Sequence, residues 1–249
     1  FPYTTLFRSF LGGLSGSDNT HSGAYDVAMF ANIPGVTMLG PTSADEYLTD
    51  LAWATLPAGA DGAPDGPVVI RVPGEAILAA EREPSLLPVT GGRVQVGHPQ
   101  STVSTAPTSG SDPLAWRINQ TGSRVAIAGL GNAYPLAEQV AAALTAEHSM
   151  KATVIDPRQC TSLDADALES LRDGHELVVT LEDGQLEGGW GEKVTAYYAN
   201  HHVSDSSRNP RVLNFGAAKE FTDRVPLGEL NERYGLTVEQ VTEAITRCF

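Results

Sequence analysis

Basic residues are scarce in this chain. Sixteen Lys and Arg face thirty Asp and Glu over 249 residues, a net charge of −14. That balance excludes a basic face for non-specific binding to nucleic acid or to anionic lipid. Cysteine is nearly absent too: Cys160 and Cys248 are the two present, with no CxxC spacing. They support free thiols in a reducing compartment, and hence a cytoplasmic location, rather than a disulfide framework. No apolar run approaches the ~18 residues that a membrane span requires. The start shows no basic-then-apolar leader pattern and no initiator Met, so a truncated reading frame is expected. Residues 1–9, Phe-Pro-Tyr-Thr-Thr-Leu-Phe-Arg-Ser, match codon by codon the translation of a common sequencing-adapter string. They are expected to be adapter-derived, with no reason to pack.

What remains has a 41% hydrophobic content, enough for a packed core. Strands alternate with helices. Val36 to Leu39 reads as a short buried strand, and Ser43-Ala44-Asp45-Glu46 as a capping box opening a helix with Tyr47, Leu48, Leu51 and Ala52 on one face. Pro57 to Gly66 is a solvated loop, and Val68 to Val72 is a strand buried on both sides. Residues 74–122 carry scattered Pro, Ser, Thr and Gly with little period, and Gln100 to Asp112 is the most polar part. A second unit follows. It has strands over Arg124 to Ala128, Ala152 to Ile155, Glu176 to Leu181 and Val212 to Phe215. Helices begin near Pro135, at Asp164, after Gly188–Gly191, around Leu227 and after a Thr237–Gln240 capping box. This pattern predicts an α/β fold with a parallel-rich sheet.

The candidate chemistry clusters in Ser17-Asp18-Asn19-Thr20-His21-Ser22-Gly23-Ala24-Tyr25-Asp26, polar groups around a glycine with no apolar period. An imidazole titrating near neutrality can donate to a substrate oxygen and shuttle a proton. The bland alternative for His21 is a surface or capping residue, and for Asp26 a cap on the next helix. Arg71, at a strand end, sits where α/β sheets bind ligands. Gly129-Leu130-Gly131-Asn132 follows a strand, but Pro135 breaks the dinucleotide pattern, which leaves a structural turn. His201 and His202 are adjacent, so their side chains diverge, and no third metal ligand is spaced for them.

The Thr20-His21-x-Gly23-x-Tyr25-Asp26 segment, the strand ending Gly40-Pro41-Thr42 and the Arg71-Val72-Pro73 strand end, in this order, resemble the 1-deoxy-D-xylulose-5-phosphate synthases of the transketolase superfamily. The resemblance runs from about residue 11 to the C-terminus. It implies the second half of a pyrimidine-binding domain over 10–86, a linker over 87–122 and a transketolase C-terminal domain over 123–249. It implies His21 as catalytic, and Thr20, His21 and Arg71 as substrate-binding. It further implies thiamine diphosphate and Mg²⁺ held mainly by residues outside this chain, since the Gly-Asp-Gly…Asn motif and the activating Glu precede this region. A homodimer acting on small-molecule substrates, pyruvate and glyceraldehyde 3-phosphate, completes the implied picture. The product would feed isoprenoid and thiamine synthesis, and the chain alone would be inactive. The Glu182-Asp183…Gly188–Gly191 stretch also resembles the family, in a structural role near the dimer contact.

The sequence departs from the family pattern at several places. Gly74, followed by Glu75, stands where a phosphate-contacting Arg is expected, Ser17 where an Asp is expected, and Phe10 where another Arg is expected. A transketolase, a 2-oxo-acid dehydrogenase β chain and a non-catalytic assembly subunit remain alternatives.

Overall fold

β-branched runs set the two sheets. The structure, a computed structural model, describes residues 6–9, 13, 14, 16, 22–79, 114–201 and 209–249. In the first unit β1 (Leu6–Ser9) is followed by α1 (Asp26–Phe30), β2 (Thr37–Leu39), α2 (Ala44–Ala54), β3 (Val68–Arg71) and α3 (Glu75–Ala79). Its sheet is fully parallel in the order β1-β3-β2. Residues 80–113, which include the polar stretch expected to link the units, lie outside the described residues.

The second unit holds β4 (Arg117–Gln120), β5 (Arg124–Gly129), α4 (Tyr134–His148), β6 (Thr153–Asp156), α5 (Ala165–Ser170), β7 (His175–Gln185), α6 (Trp190–Asn200), β8 (Arg211–Ala217), α7 (Leu227–Arg233) and α8 (Val238–Thr246). The five strands run in the order β4-β6-β5-β7-β8, with β4 antiparallel and the others parallel. The parallel-rich α/β fold expected from the sequence is what the chain adopts.

Alternate residues of the central strands feed opposite faces, because successive side chains of a strand point to opposite sides. Val125 and Ile127 of β5, with Leu177 and Val179 of β7, pack under α4 and α8. Ala126, Ala128 and Val178 pack under α5 and α6. That second cluster does not stop at the domain. It continues through Val27, Ala31, Met38 and Val69 of the first unit, so one apolar core spans both. Caps fix the helix starts: Ser43, Asp164 and Thr237 each accept the backbone N–H three residues on. Among the described residues no helix is long and apolar enough to cross a membrane.

Two expectations are corrected. The linker expected over 87–122 overlaps the second sheet, because Arg117–Gln120 pairs with β6. Its polar composition fits an edge strand, which presents one side to water. The expectation that residues 1–9 have no reason to pack fails for Leu6–Ser9, which pairs in register with Val68–Arg71. β3 is fully buried along its length, so without β1 it would become an edge. Deleting residues 1–9 is therefore expected to lower Tm by about 2–4 °C for each kcal/mol of pairing lost. An unchanged midpoint in a thermal scan would show that β1 contributes nothing.

Candidate functional site

The two sheets meet at the carboxyl ends of their strands, the end at which open α/β sheets bind ligands. Arg71 closes β3 there and is 2% exposed. Its Nε donates to Asp26 Oδ2 at 3.0 Å and its Nη1 to Asp183 Oδ1, at the end of β7, at 2.5 Å. Nη2 is buried without a hydrogen-bond partner. Burial works against the charged guanidinium, but Asp183 and Asp26 outweigh it and hold the pKa of Arg71 above its ordinary value. Asp26 does not cap the helix as expected. It lies inside the first turn behind Tyr25, its Oδ1 accepts from Val27 N, and burial pushes its pKa up against the pull of Arg71.

Thr20 and His21 lie outside the described residues, as does Ser17, but residues flanking them in sequence are described. Gly23 N donates to Gly13 O at 3.0 Å. Leu14 N donates to Asp183 O, and Gln185 N to Ala24 O, each at 2.7 Å. Gly13 has φ +93°, and a Cβ there would lie 1.6 Å from Asp183 Oδ2, so only glycine fits against that carboxylate. Gly74 N donates to Asn132 Oδ1 at 2.7 Å, and Asn132 Nδ2 to Asp183 Oδ2 at 3.1 Å. Asn132 sits in a 3₁₀ turn, Gly131–Ala133, between β5 and α4. The structure thus gathers Arg71, Asp26, Asp183, Asn132, Gly13 and Leu14 at one point.

A second polar cluster, missed by sequence reasoning, lies on the same seam. Glu46 of α2 caps nothing with its carboxylate, although Ser43 Oγ accepts from Glu46 N as a capping box requires. Instead Glu46 Oε2 accepts from Thr42 N at 2.8 Å, and Oε1 accepts from Arg158 Nε at 3.0 Å and Arg117 Nη2 at 3.2 Å. Thr42 Oγ1 lies 2.9 Å from both Glu46 Oε2 and Asp156 Oδ2. A hydroxyl has one proton to give, so it donates to only one of those carboxyls at a time. Burial pushes Glu46 upward, but Arg117, Arg158 and the Thr42 amide outweigh it and hold its carboxyl below the usual range. Burial and the neighbouring Glu46 raise Asp156 to about 7 against the pull of Arg117 and Arg158, so of the two it is the carboxyl that takes up a proton more readily. Asp50, buried beside Glu46, is pushed well above the usual range by the same two causes.

The remaining candidates have the following surroundings. Glu182 accepts from Trp190 N at 3.0 Å and Gly191 N at 2.9 Å, capping α6, and burial raises it to about 7 against those two amides. Burial likewise pushes the Cys160 thiol up to about 12, leaving it protonated. His201 stacks on Tyr197, while His202 lies outside the described residues. Among the described residues no group of three or more His, Cys, Asp or Glu could hold a metal ion. Asp26 and Asp183 are spent on Arg71, Glu46 on Arg117 and Arg158, and Glu182 on the amides of α6. The described residues therefore do not fit a magnesium diphosphate site.

A family model described as the transketolase C-terminal domain matches residues 114–241. The chain is 34% identical over 234 residues to the 1-deoxy-D-xylulose-5-phosphate synthase of Symbiobacterium thermophilum, covering 93% of this chain and 30% of that protein. Identity to the enzyme of the same name from Acidobacterium capsulatum is 29% over 240 residues, 94% of this chain and 32% of that one. The chain thus spans about a third of the length of these relatives. Among solved structures, a split gene transketolase, described as an inactive beta4 tetramer, superposes with TM-score 0.65 at 21% identity, over 98% of this chain and 64% of that one. A transketolase mutant from Pichia stipitis gives TM-score 0.56 at 15% identity, over 92% of this chain and 27% of that chain. At such identities the two structures speak for the fold.

The buried seam makes stability depend on pH in an unusual direction. A carboxyl whose folded pKa is raised binds more protons folded than unfolded between its two pKa values, so its contribution falls as pH rises. For Asp156 that window runs from the unfolded value of 3.8 to about 7, and the raised Asp50, Asp26 and Glu182 act with the same sign. Glu46, held low, opposes them only as pH falls below its unfolded value of 4.5. Tm is therefore expected to rise as pH is lowered from about 8 to about 5.5. Asp156→Asn, which keeps a donor toward Thr42, is expected to flatten that slope. A Tm that falls steadily over this range in thermal scans would contradict the assignment.

Proposed function

The chain belongs to the transketolase family, and from that membership we propose that it is part of a thiamine-diphosphate-dependent enzyme of the 1-deoxy-D-xylulose-5-phosphate synthase type. In this reaction pyruvate loses CO₂ and its remaining two carbons join glyceraldehyde 3-phosphate, giving 1-deoxy-D-xylulose 5-phosphate. Thiamine diphosphate, when bound, supplies the centre that stabilises the carbanion left by decarboxylation. Its diphosphate and Mg²⁺ are assigned to residues outside this chain.

The part given to this chain is substrate handling. His21 donates a hydrogen bond to the acceptor and moves a proton at its carbonyl oxygen, and the Thr20 hydroxyl helps to hold the same molecule. Arg71, enclosed between Asp26 and Asp183, supports the strand end from behind. One observation supports the reading: Gly13, Leu14 and Gly23, the described residues that flank 17–21 in sequence, bond to one another and to Asp183 beside Arg71, at the carboxyl ends of parallel strands. The backbone of Gly74, bound by Asn132, takes the place of a side chain that would meet the acceptor's phosphate. In this proposal the enzyme works in the cytoplasm as a homodimer and feeds isoprenoid and thiamine synthesis.

The 249-residue chain alone is expected to release no CO₂ from pyruvate, with or without added thiamine diphosphate and Mg²⁺. In the complete enzyme, His21→Ala is expected to lower turnover with the aldehyde acceptor about tenfold to a hundredfold, and to alter cofactor affinity less. Cofactor-dependent CO₂ release from the isolated chain, or steady-state kinetics unmoved by His21→Ala, would sink the reading.

A further inference from the structure

The seam between the two units is fastened at α2 by six side chains enclosed between them. Thr42, Glu46 and Asp50 come from the first unit; Arg117 on β4, Asp156 closing β6 and Arg158 come from the second. Three carboxyls thus meet two guanidiniums. Glu46 Oε1 takes both, from Arg158 Nε at 3.0 Å and Arg117 Nη2 at 3.2 Å. Asp156 is held from its own side: Oδ1 accepts from Arg158 N at 2.9 Å, and Oδ2 lies 3.5 Å from Arg117 Nη1. Its link across the seam is Thr42 Oγ1, 2.9 Å from Asp156 Oδ2 and 2.9 Å from Glu46 Oε2. Two backbone bonds cross alongside, Gly40 N to Arg158 O at 2.8 Å and Cys160 N to Met38 O at 3.0 Å.

We propose that this group is a proton-linked latch between the two units: a proton taken up at Asp156 closes the seam along α2, and its loss lets the seam open there while both sheets stay folded. The hydrogen-bond count sets the difference. With both carboxyls ionised, the one proton of Thr42 serves Glu46 or Asp156 and leaves the other contact as two oxygens without a proton between them. A proton on Asp156 Oδ2 completes a chain across the seam, Asp156 donating to Thr42 Oγ1 and Thr42 donating to Glu46 Oε2. Charge acts in the same direction, since three ionised carboxylates exceed two guanidiniums in an enclosed space. The other elements packed on β6 add no charge to the group among the described residues. β5 brings Ala126, Ile127 and Ala128. α4 turns Tyr134, Ala137 and Val140 inward, the Tyr134 hydroxyl accepting from Asn119, and leaves Glu138 exposed. Burial and Glu46 raise Asp156 to about 7 and push Asp50 upward too, which places the release of the latch near neutrality.

Amide hydrogen exchange in the 249-residue chain tests this, with rates corrected for the intrinsic pH dependence of exchange. In the open seam Asp156 meets water and returns toward 3.8, so opening releases a proton between that value and about 7. The opening constant therefore rises with pH over this window, by up to about tenfold per pH unit for one proton, and levels off above it. Protection of the amides at Gly40, Thr42 and Cys160 is expected to fall about tenfold from about pH 5.5 to about pH 7. It is expected to stay about tenfold or more below that of Val125 and Val178 in the sheet, because the seam opens without global unfolding. Asp156→Asn, which can donate to Thr42 at every pH, is expected to flatten the slope at the seam. Thr42→Val, which removes the relay, is expected to bring protection at the lower pH down to the level that the unmodified chain shows at the higher. Three results each overturn the proposal: seam protection that ignores pH, seam and sheet amides that exchange at one common rate, or a slope as steep in Asp156→Asn as in the unmodified chain. Should Asp156→Asn fail to fold, Thr42→Val decides, and seam protection as high and as pH-dependent as before overturns the latch.

Discussion

Placing one guanidinium out of water constrains much of this molecule. A buried cation is tolerated only beside compensating charge and hydrogen bonds. For Arg71 the two counter-charges come from different places, Asp26 in its own unit and Asp183 at a sequence distance of 112 residues. Neither unit could bury the side chain alone. The ends of β3 and β7 must therefore abut, and other contacts at the seam agree with that placement. Leu39 bridges to Gln159, Cys160 N reaches Met38 O, and the apolar cluster of α5 and α6 runs on into α1 and β2.

The second cluster solves a related problem with more members. Three carboxylates, Glu46, Asp50 and Asp156, share the interior with two guanidiniums, Arg117 and Arg158. Full ionisation would leave an excess negative charge in a region without solvent, which pushes Asp50 and Asp156 toward binding a proton. Titration there belongs to the group, with Thr42 as the relay between Asp156 and Glu46. Strong contacts from Arg117 on β4 to Glu46 on α2 also explain how a polar edge strand is fastened at the domain's boundary.

The regular elements were largely legible, because local chemistry decides them. Ser43, Asp164 and Thr237 have side chains that cap, and the β-branched runs at Val68 and Val125 have no other comfortable conformation than a strand buried on both faces. β4 escaped because Arg117-Ile118-Asn119-Gln120 is polar and gains its place only by pairing with Val154 to Asp156. β1 escaped because its residues were set aside on other grounds. Arg71 could be picked out from its strand end, but its partners could not: nothing near Asp26 or Asp183 in the chain announces a cation 45 or 112 residues away. Glu46 misled in an instructive way. The capping box was half right, and the carboxylate that should have turned back on its own helix was drawn off by two arginines from the other domain.

That diversion bears on how far the C-terminal half is a portable module. By composition and by its own sheet it looks like a cassette that could be moved between proteins. Its inner face, however, presents Arg117, Arg158 and Asp156 at a surface matched by Glu46 and Thr42, and carries apolar side chains whose neighbours are Met38, Val69 and Val27. Grafted beside a host lacking those partners, the domain would carry an unmatched mosaic of charge and exposed aliphatic surface, prone to non-specific association. Swapping such domains between related enzymes therefore means transplanting the α2 helix and the β2–α1 face along with them.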